Sequence, residues 1–123
     1  MPRVIHFEIP VRDPEKVSEF YRKVFSWDIT KWEGPMEYWL VTTGPDKEPG
    51  INGAFTRKKD MIAEGVILTV QVDSLEETVR DIENAGGSRL TPRSAVPGIG
   101  YFSYCRDPEG NVIGIMESDQ TAG

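Results

Sequence analysis

The protein has 123 residues and a formal net charge of −6 at pH 7; 38% of the residues are hydrophobic and 28% are charged. This length fits one compact domain with a real hydrophobic core, and no window approaches the ~18 consecutive apolar residues that span a bilayer. The acidic balance argues against nucleic acid and anionic membranes as partners, since both attract basic surfaces, and it favours a neutral or cationic small molecule.

The chain begins with a stretch that alternates in polarity and then becomes helical. Residues 4–11, VIHFEIPV, place Ile5, Phe7 and alternate residues on one side and His6 and Glu8 on the other, as a half-buried strand requires. Asp13 and Pro14 suit the N-cap and the first position of a helix, which should end at about residue 25. Three strands are predicted to follow, at residues 27–31, 38–42 and 51–56.

The second half repeats this order. Residues 66–72 form a predicted strand, and SLEE at residues 74–77 is a capping box that opens a helix. Gly86 and Gly87 suit the end of that helix, because glycine readily adopts the left-handed conformation. Three strands are predicted next, at residues 88–91, 100–105 and 111–116. Each half therefore has the order βαβββ.

A single offset relates the two halves. His6 and Ile67 are 61 residues apart, and so are Gly53 and Gly114. This indicates a duplicated module, with copies at about residues 1–58 and 64–119 joined by the exposed connection TRKKDMIAEG. Because a half of about 60 residues is only marginally stable alone, we expect residues 1–123 to form one domain.

Three segments of the chain resemble a known family. VIHFEIPV, DPEKVSEFYRKVFSWDI and RDPEGNVIGIME, together with the repeated module, resemble the vicinal oxygen chelate superfamily, which includes glyoxalase, bleomycin-resistance proteins and extradiol dioxygenases. The resemblance implies an α+β fold in which two tandem βαβββ modules form a cup-shaped, mostly antiparallel sheet with helices outside. It also implies a cleft between the modules and a homodimer.

The family's metalloenzymes carry one metal ligand on each of four strands, and the resemblance places these at positions 6, 53, 67 and 114. Here they are His6, Gly53, Ile67 and Gly114, and only the first has a donor side chain. A divalent ion needs several convergent donors, so we expect no metal and no cofactor. A relocated site that uses His6 with Glu8 is the alternative. Gln71 and Glu117 are further donors, but alternation places Glu117 opposite Gly114.

A ligand pocket without a metal is the main prediction. Alternation directs His6, Glu8, Thr69 and Gln71 towards the implied cleft. Tyr38, Trp39 and Tyr101 are candidate aromatic walls, because such rings bury a large area and orient a ligand. Gly53 and Gly114 either leave volume for the ligand or only relieve local crowding. His6 has three interpretations: a hydrogen-bond partner of substrate, a general base, or an inert neutral imidazole.

These observations predict a glyoxalase- or bleomycin-resistance-like protein that binds a small molecule in its cleft without a metal. The alternative is an enzyme of lyase or dioxygenase type that uses a relocated metal site or acid–base chemistry by His6 and Glu8. A third possibility is an interaction module descended from a catalytic ancestor.

The start of the chain and its single cysteine suggest a compartment. MPRVIHFEIP lacks the basic and apolar tracts of a signal peptide, so we expect a cytoplasmic protein. Cys105 has no second cysteine to pair with inside the chain, which agrees with a reducing compartment. We expect it to be a buried, inert thiol.

Overall fold

The computed structural model describes residues 2–34, 36–57 and 63–123. These residues form two helices and nine strands, so the predicted α+β class is confirmed. In chain order the elements are β1 (Arg3–Val11), α1 (Pro14–Phe25), β2 (Asp28–Lys31), β3 (Tyr38–Thr42), β4 (Asn52–Arg57), β5 (Ile67–Val72), α2 (Leu75–Asn84), β6 (Ser88–Arg89), β7 (Ser94–Val96), β8 (Gly100–Arg106) and β9 (Val112–Ser118).

The chain divides into two compact units. The first is His6–Ile67, and the second is Leu68–Gly123 with the residues up to Ile5. In the first unit the strand order is β2-β3-β4-β1, and in the second it is β5-β9-β8-β6, with β7 on β8. The β1–β4 and β5–β9 pairs are parallel, and the other pairs within each unit are antiparallel, as predicted.

Helix α1 has the ends that its sequence predicts. The side chain of Asp13 accepts a hydrogen bond from the backbone N–H of Lys16, and Pro14 occupies the first turn. The helix ends at Ser26, which adopts a left-handed conformation with φ 58° and donates its backbone N–H to the carbonyl of Arg22. These caps satisfy backbone groups that have no partner inside the helix.

Helix α2 is capped from two sides. The hydroxyl of Ser74 accepts from the backbone N–H of Glu77, as the capping box predicts. In addition, Glu117 Oε1 accepts from the backbone N–H of Leu75 at 2.9 Å. A carboxylate at a helix N-terminus is also favoured by the helix dipole. Glu117 therefore faces the helix, on the side of the strand opposite Gly114, which is the side predicted for it.

Each unit has its own hydrophobic core between its helix and one face of its strands. In the first unit, Val17 and Tyr21 of α1 pack against the buried core side chains of the strands. In the second unit Cys105 is fully buried in the core, so the expected buried thiol is confirmed. The buried core residues are Val11, Ile29, Trp39, Val41 and Phe55 in the first unit, and Val72, Leu75, Val79, Cys105 and Ile115 in the second.

The short strand β7 was not predicted. It pairs with β8 through Ser94–Phe102, Ala95–Tyr101 and Val96–Gly100. The intervening Pro97 and Gly98 form the turn, where Gly98 has φ 75° and the N–H of Ile99 donates to the carbonyl of Val96. The Pro-Gly dipeptide was the available signal for this hairpin.

Half of the predicted connection at residues 56–65 lies outside the described residues, namely 58–62. Its first two residues, Thr56 and Arg57, belong to β4, and Thr56 is buried, so the connection begins later than predicted. Within the described residues, neither helix is long and apolar enough to cross a membrane.

Replacing Ser18 with alanine is expected to raise the free energy of unfolding by about 1 kcal/mol. Ser18 is fully buried on α1, and its Oγ has no hydrogen-bond partner among the described residues. Removing a buried hydroxyl without a partner removes a desolvation cost, and alanine favours helix more than serine does. Urea unfolding of the variant and the wild type measures the difference. A loss of stability would contradict the prediction and would show that the hydroxyl is paired.

Candidate functional site

The candidate site lies on the face of the first unit opposite α1, which we call its back face. The strand register shows which side chains lie on this face. Glu8 pairs with Ala54, which pairs with Leu40, and Thr56 pairs with Tyr38. Side chains directly opposite each other on paired strands share a face. Leu40 is 41% exposed, whereas Glu8 is only 3% exposed. The back face therefore combines an accessible apolar side chain with a buried carboxyl group.

A hydrogen bond joins Glu8 to Tyr38 on this face. The phenol donates, since an ionised carboxylate only accepts. Burial raises the pKa of Tyr38 to about 12, and the charge of Glu8 and its hydrogen bond add to the effect. A buried carboxyl group away from the hydrophobic core is costly unless it is hydrogen-bonded, and such perturbed groups concentrate at functional sites.

The stability of the protein is expected to fall in alkaline solution through Tyr38. Its pKa is 10.0 in a free side chain and about 12 in the folded protein. Below pH 10 the protonated phenol contributes its full stabilisation, and this is lost as pH rises towards 12 because the unfolded chain loses the proton first. Between pH 9 and 11 the loss should be about 1 kcal/mol. Urea unfolding at both pH values measures it, and Tyr38→Phe should lose that much less. Equal losses in both proteins would contradict this prediction.

His6 lies on the same strand and the same face as Glu8. Its side chain is partly buried, and burial lowers the pKa of the imidazole. A neutral imidazole offers one donor and one acceptor to a ligand.

Thr56 adds a polar group that the sequence reasoning missed. It is 5% exposed, lies between Pro10 and Tyr38 in register, and its Oγ1 has no hydrogen-bond partner among the described residues. The alternation of β4 was the available signal, since Thr56 must share the face of Ala54. Glu8, Tyr38 and Thr56 thus bring an acceptor and two hydroxyl groups together.

Two predicted ligand contacts lie on the helix side instead. Trp39 is a core residue, 3% exposed, and its Nε1–H donates to Glu15 of α1 at 3.2 Å. Tyr101 packs against the core of the second unit, with the guanidinium of Arg93 3.8 Å above its ring. These positions correct the expectation that Trp39 and Tyr101 accompany the other predicted contacts.

The second unit has a back face of its own, opposite α2. Thr69 and Gln71 lie on it, and Gln71 donates to the hydroxyl of Ser118 at 2.6 Å. Thr69 pairs in register with Gly114, which in turn pairs with Tyr104. The space at Gly114 is filled, because an added Cβ would lie 2.7 Å from Cζ of Phe102. Gly114 relieves crowding here and does not leave a cavity.

Gly53 does not lie on the back face, so of its two expected roles only the relief of local crowding applies. Gly53 pairs with Phe7, and an added Cβ would lie 2.5 Å from both the ring and the carbonyl oxygen of Phe7. Phe7 packs against the core, so Gly53 faces α1. The counterpart of Gly114 is Ala54: Glu8 pairs with Ala54 and its equivalent Thr69 pairs with Gly114. The offset is thus 61 between β1 and β5 but 60 between β4 and β9.

The residues present do not fit the four-ligand metal site that the resemblance implies. After the correction, the positions are occupied by His6, Ala54, Ile67 and Gly114, of which only His6 has a donor side chain. Across residues 2–34, 36–57 and 63–123, no three His, Cys, Asp or Glu side chains lie close enough together to hold a metal ion.

Comparison with protein families gives one match over nearly the whole chain. The model of the family described as "Glyoxalase-like domain" matches residues 5–116. Among curated proteins there is no significant match.

Solved structures share the fold at low sequence identity. A methylmalonyl-CoA epimerase in complex with methylmalonyl-CoA and NH4+ superposes with a TM-score of 0.73 at 13% identity, over 100% of this chain and 99% of that chain. The methylmalonyl-CoA epimerase of Mycobacterium tuberculosis gives 0.68 at 14% identity, over 94% and 87%. A Legionella pneumophila protein described as an NAD-dependent benzaldehyde dehydrogenase gives 0.64 at 19% identity, over 93% and 98%. At this identity the similarity establishes the fold alone.

Proposed function

Because the chain belongs to the glyoxalase-like domain family of the vicinal oxygen chelate superfamily, we propose that it is a metal-free small-molecule-binding protein. The ligand contacts are provided by the back face of the first unit. The observation that carries this proposal is the Glu8–Tyr38 pair, a hydrogen-bonded carboxylate and phenol on the sheet face that does not pack against the helix.

The chemistry of the back face favours a neutral or cationic ligand with a hydrogen-bond donor. A carboxylate has about four lone-pair sites, so Glu8 can accept from a ligand while it accepts from Tyr38. Thr56 offers a buried hydroxyl group, and Leu40 offers accessible apolar surface beside it. The net charge of −6 adds a general attraction for cations. A protonated alkylamine that carries an aromatic ring combines the required donor, charge and apolar surface.

The test is a thermal shift assay with benzylamine in EDTA, because a molecule that binds only the folded state raises the melting temperature. We expect benzylamine to raise the melting temperature of the wild type, and to do so much less in Glu8→Gln. Glu109→Gln is the matched control, since Glu109 is an exposed carboxylate in a turn. A response that appears only when EDTA is replaced by Co2+, Ni2+, Zn2+ or Mn2+ would overturn the metal-free assignment, and an equal response in Glu8→Gln would overturn the site.

An enzyme is the second candidate. The observation that favours it is the presence of His6 and Glu8 on one face, as a general acid and base would require, in a fold that holds methylmalonyl-CoA in a neighbour. The same variants distinguish the two candidates. Epimerisation of methylmalonyl-CoA by the wild type but not by Glu8→Gln would establish the enzyme and replace the binding protein.

A further inference from the structure

The back face of the second unit contains a buried hydroxyl group without a partner. Thr69 is 2% exposed, and its Oγ1 makes no hydrogen bond within the described residues. The hydroxyl of Thr69 lies next to Gly114, since a Cβ added to Gly114 would lie 2.9 Å from this oxygen. An unpaired buried hydroxyl is costly, and a ligand that pairs with it recovers that cost.

The ring of Phe102 also lies next to Gly114. Its Cζ lies 2.7 Å from the position of a Cβ on Gly114, and its ring makes an edge-on contact with Tyr104 at a centroid distance of 4.7 Å. Phe102 pairs with Met116 as Tyr38 pairs with Thr56, so the two rings hold equivalent positions in their units. Tyr38 has a hydroxyl group that interacts with Glu8, whereas Phe102 has no hydrogen-bonding group to offer to Thr69. Phe102 is only partly buried, whereas Thr69 is 2% exposed.

We propose that Phe102 occludes a second binding position, with Thr69 and Gly114 as its floor, that accepts a hydroxylated aromatic ring when Phe102 is displaced. Phe102 then determines specificity, because it excludes from this face any ligand that cannot compete with its ring. The proposal rests on the proposed function only in treating the back faces as ligand-binding surfaces. The displaced ring leaves apolar surface from Tyr104 and Met116 for the ligand ring and the hydroxyl of Thr69 for the ligand hydroxyl.

The experiment compares phenol and toluene binding to Phe102→Ala by titration calorimetry. We expect phenol to bind this variant at least tenfold more tightly than it binds the wild type, because no side chain has to be displaced. Adding Thr69→Val should weaken phenol binding about fivefold, the effect of one hydrogen bond, and leave toluene binding unchanged. Phe20→Ala is the matched control, since Phe20 is 55% exposed on α1.

Two results would overturn the proposal. One is a folded Phe102→Ala that binds phenol no better than the wild type does, and the other is a phenol affinity that Thr69→Val does not reduce. If Phe102→Ala does not fold, Phe102→Leu applies the same test with a smaller truncation and a smaller expected gain. Adding Glu8→Gln to Phe102→Ala should leave phenol binding intact, so failure at Glu8 and failure at Phe102 are distinguishable.

Discussion

Replacing Gly53 with alanine is expected to lower the free energy of unfolding by about 3 kcal/mol, the upper end of the usual cost of overpacking. The added Cβ would lie 2.5 Å from the carbonyl oxygen of Phe7 as well as from its ring. Real contacts of this kind are longer, so the paired β1 and β4 strands must move apart. Backbone cannot move as a side chain can, and the adjoining core is closely packed.

Gly114→Ala is the matched control for this prediction. Its Cβ would meet only the end of the Phe102 ring and the hydroxyl of Thr69, at 2.7 and 2.9 Å. The ring of Phe102 is partly exposed and can give way, and no backbone atom is among the three nearest atoms, so the loss should be clearly smaller than for Gly53→Ala. Urea unfolding of both variants measures the difference. Equal losses, or a larger loss at Gly114, would show that the faces of the two glycines are assigned incorrectly.

The Glu8–Tyr38 pair is expected to show strong coupling in a double-mutant cycle. Tyr38→Phe should cost about 2 kcal/mol, because it removes a hydrogen bond from a buried charged group. Glu8→Leu should cost a similar amount, because it leaves the phenol of Tyr38 unpaired. The double variant should cost much less than the sum, since both polar groups are gone.

Tyr21→Phe with Glu8→Leu is the control cycle. Tyr21 lies on α1 and stacks on Trp27 at a centroid distance of 5.0 Å, on the core side of the sheet. Its effect should therefore add to that of Glu8→Leu. Additive losses in the Glu8–Tyr38 cycle as well would contradict the hydrogen bond as the basis of the site.

The order of elements was predictable because its signals are local. Helix caps such as Asp13 and Ser74, and alternation along each strand, depend on neighbouring residues only. The capping of α2 by Glu117 required knowledge of which strand ends near the helix. The strand β7 is three residues long, which is too short for alternation to be recognised.

The site was predictable only in part. His6, Glu8 and Tyr38 do lie on the back face of the first unit, and Thr69 and Gln71 lie on that of the second. Tyr38 and Trp39 are consecutive in one strand, so alternation already allowed only one of them to face a ligand. Phe102 was missed because nothing in the sequence says which ring will cover a glycine on the neighbouring strand.

The offset between equivalent residues of the two modules is 61 for β1 and β5 but 60 for β4 and β9. A residue's role in one module therefore cannot be assigned to the other module by adding a constant number. A residue mapped from β9 to β4 by counting along the chain arrives on the opposite side of the pleat. Superposing the copies needs gaps at more than one place, because the equivalent residues Tyr38 and Phe102 of β3 and β8 are 64 residues apart (102 − 38). A chimera that exchanges β4 for β9 at an offset of 61 would turn its core side chains to the back face and its back-face side chains to the helix.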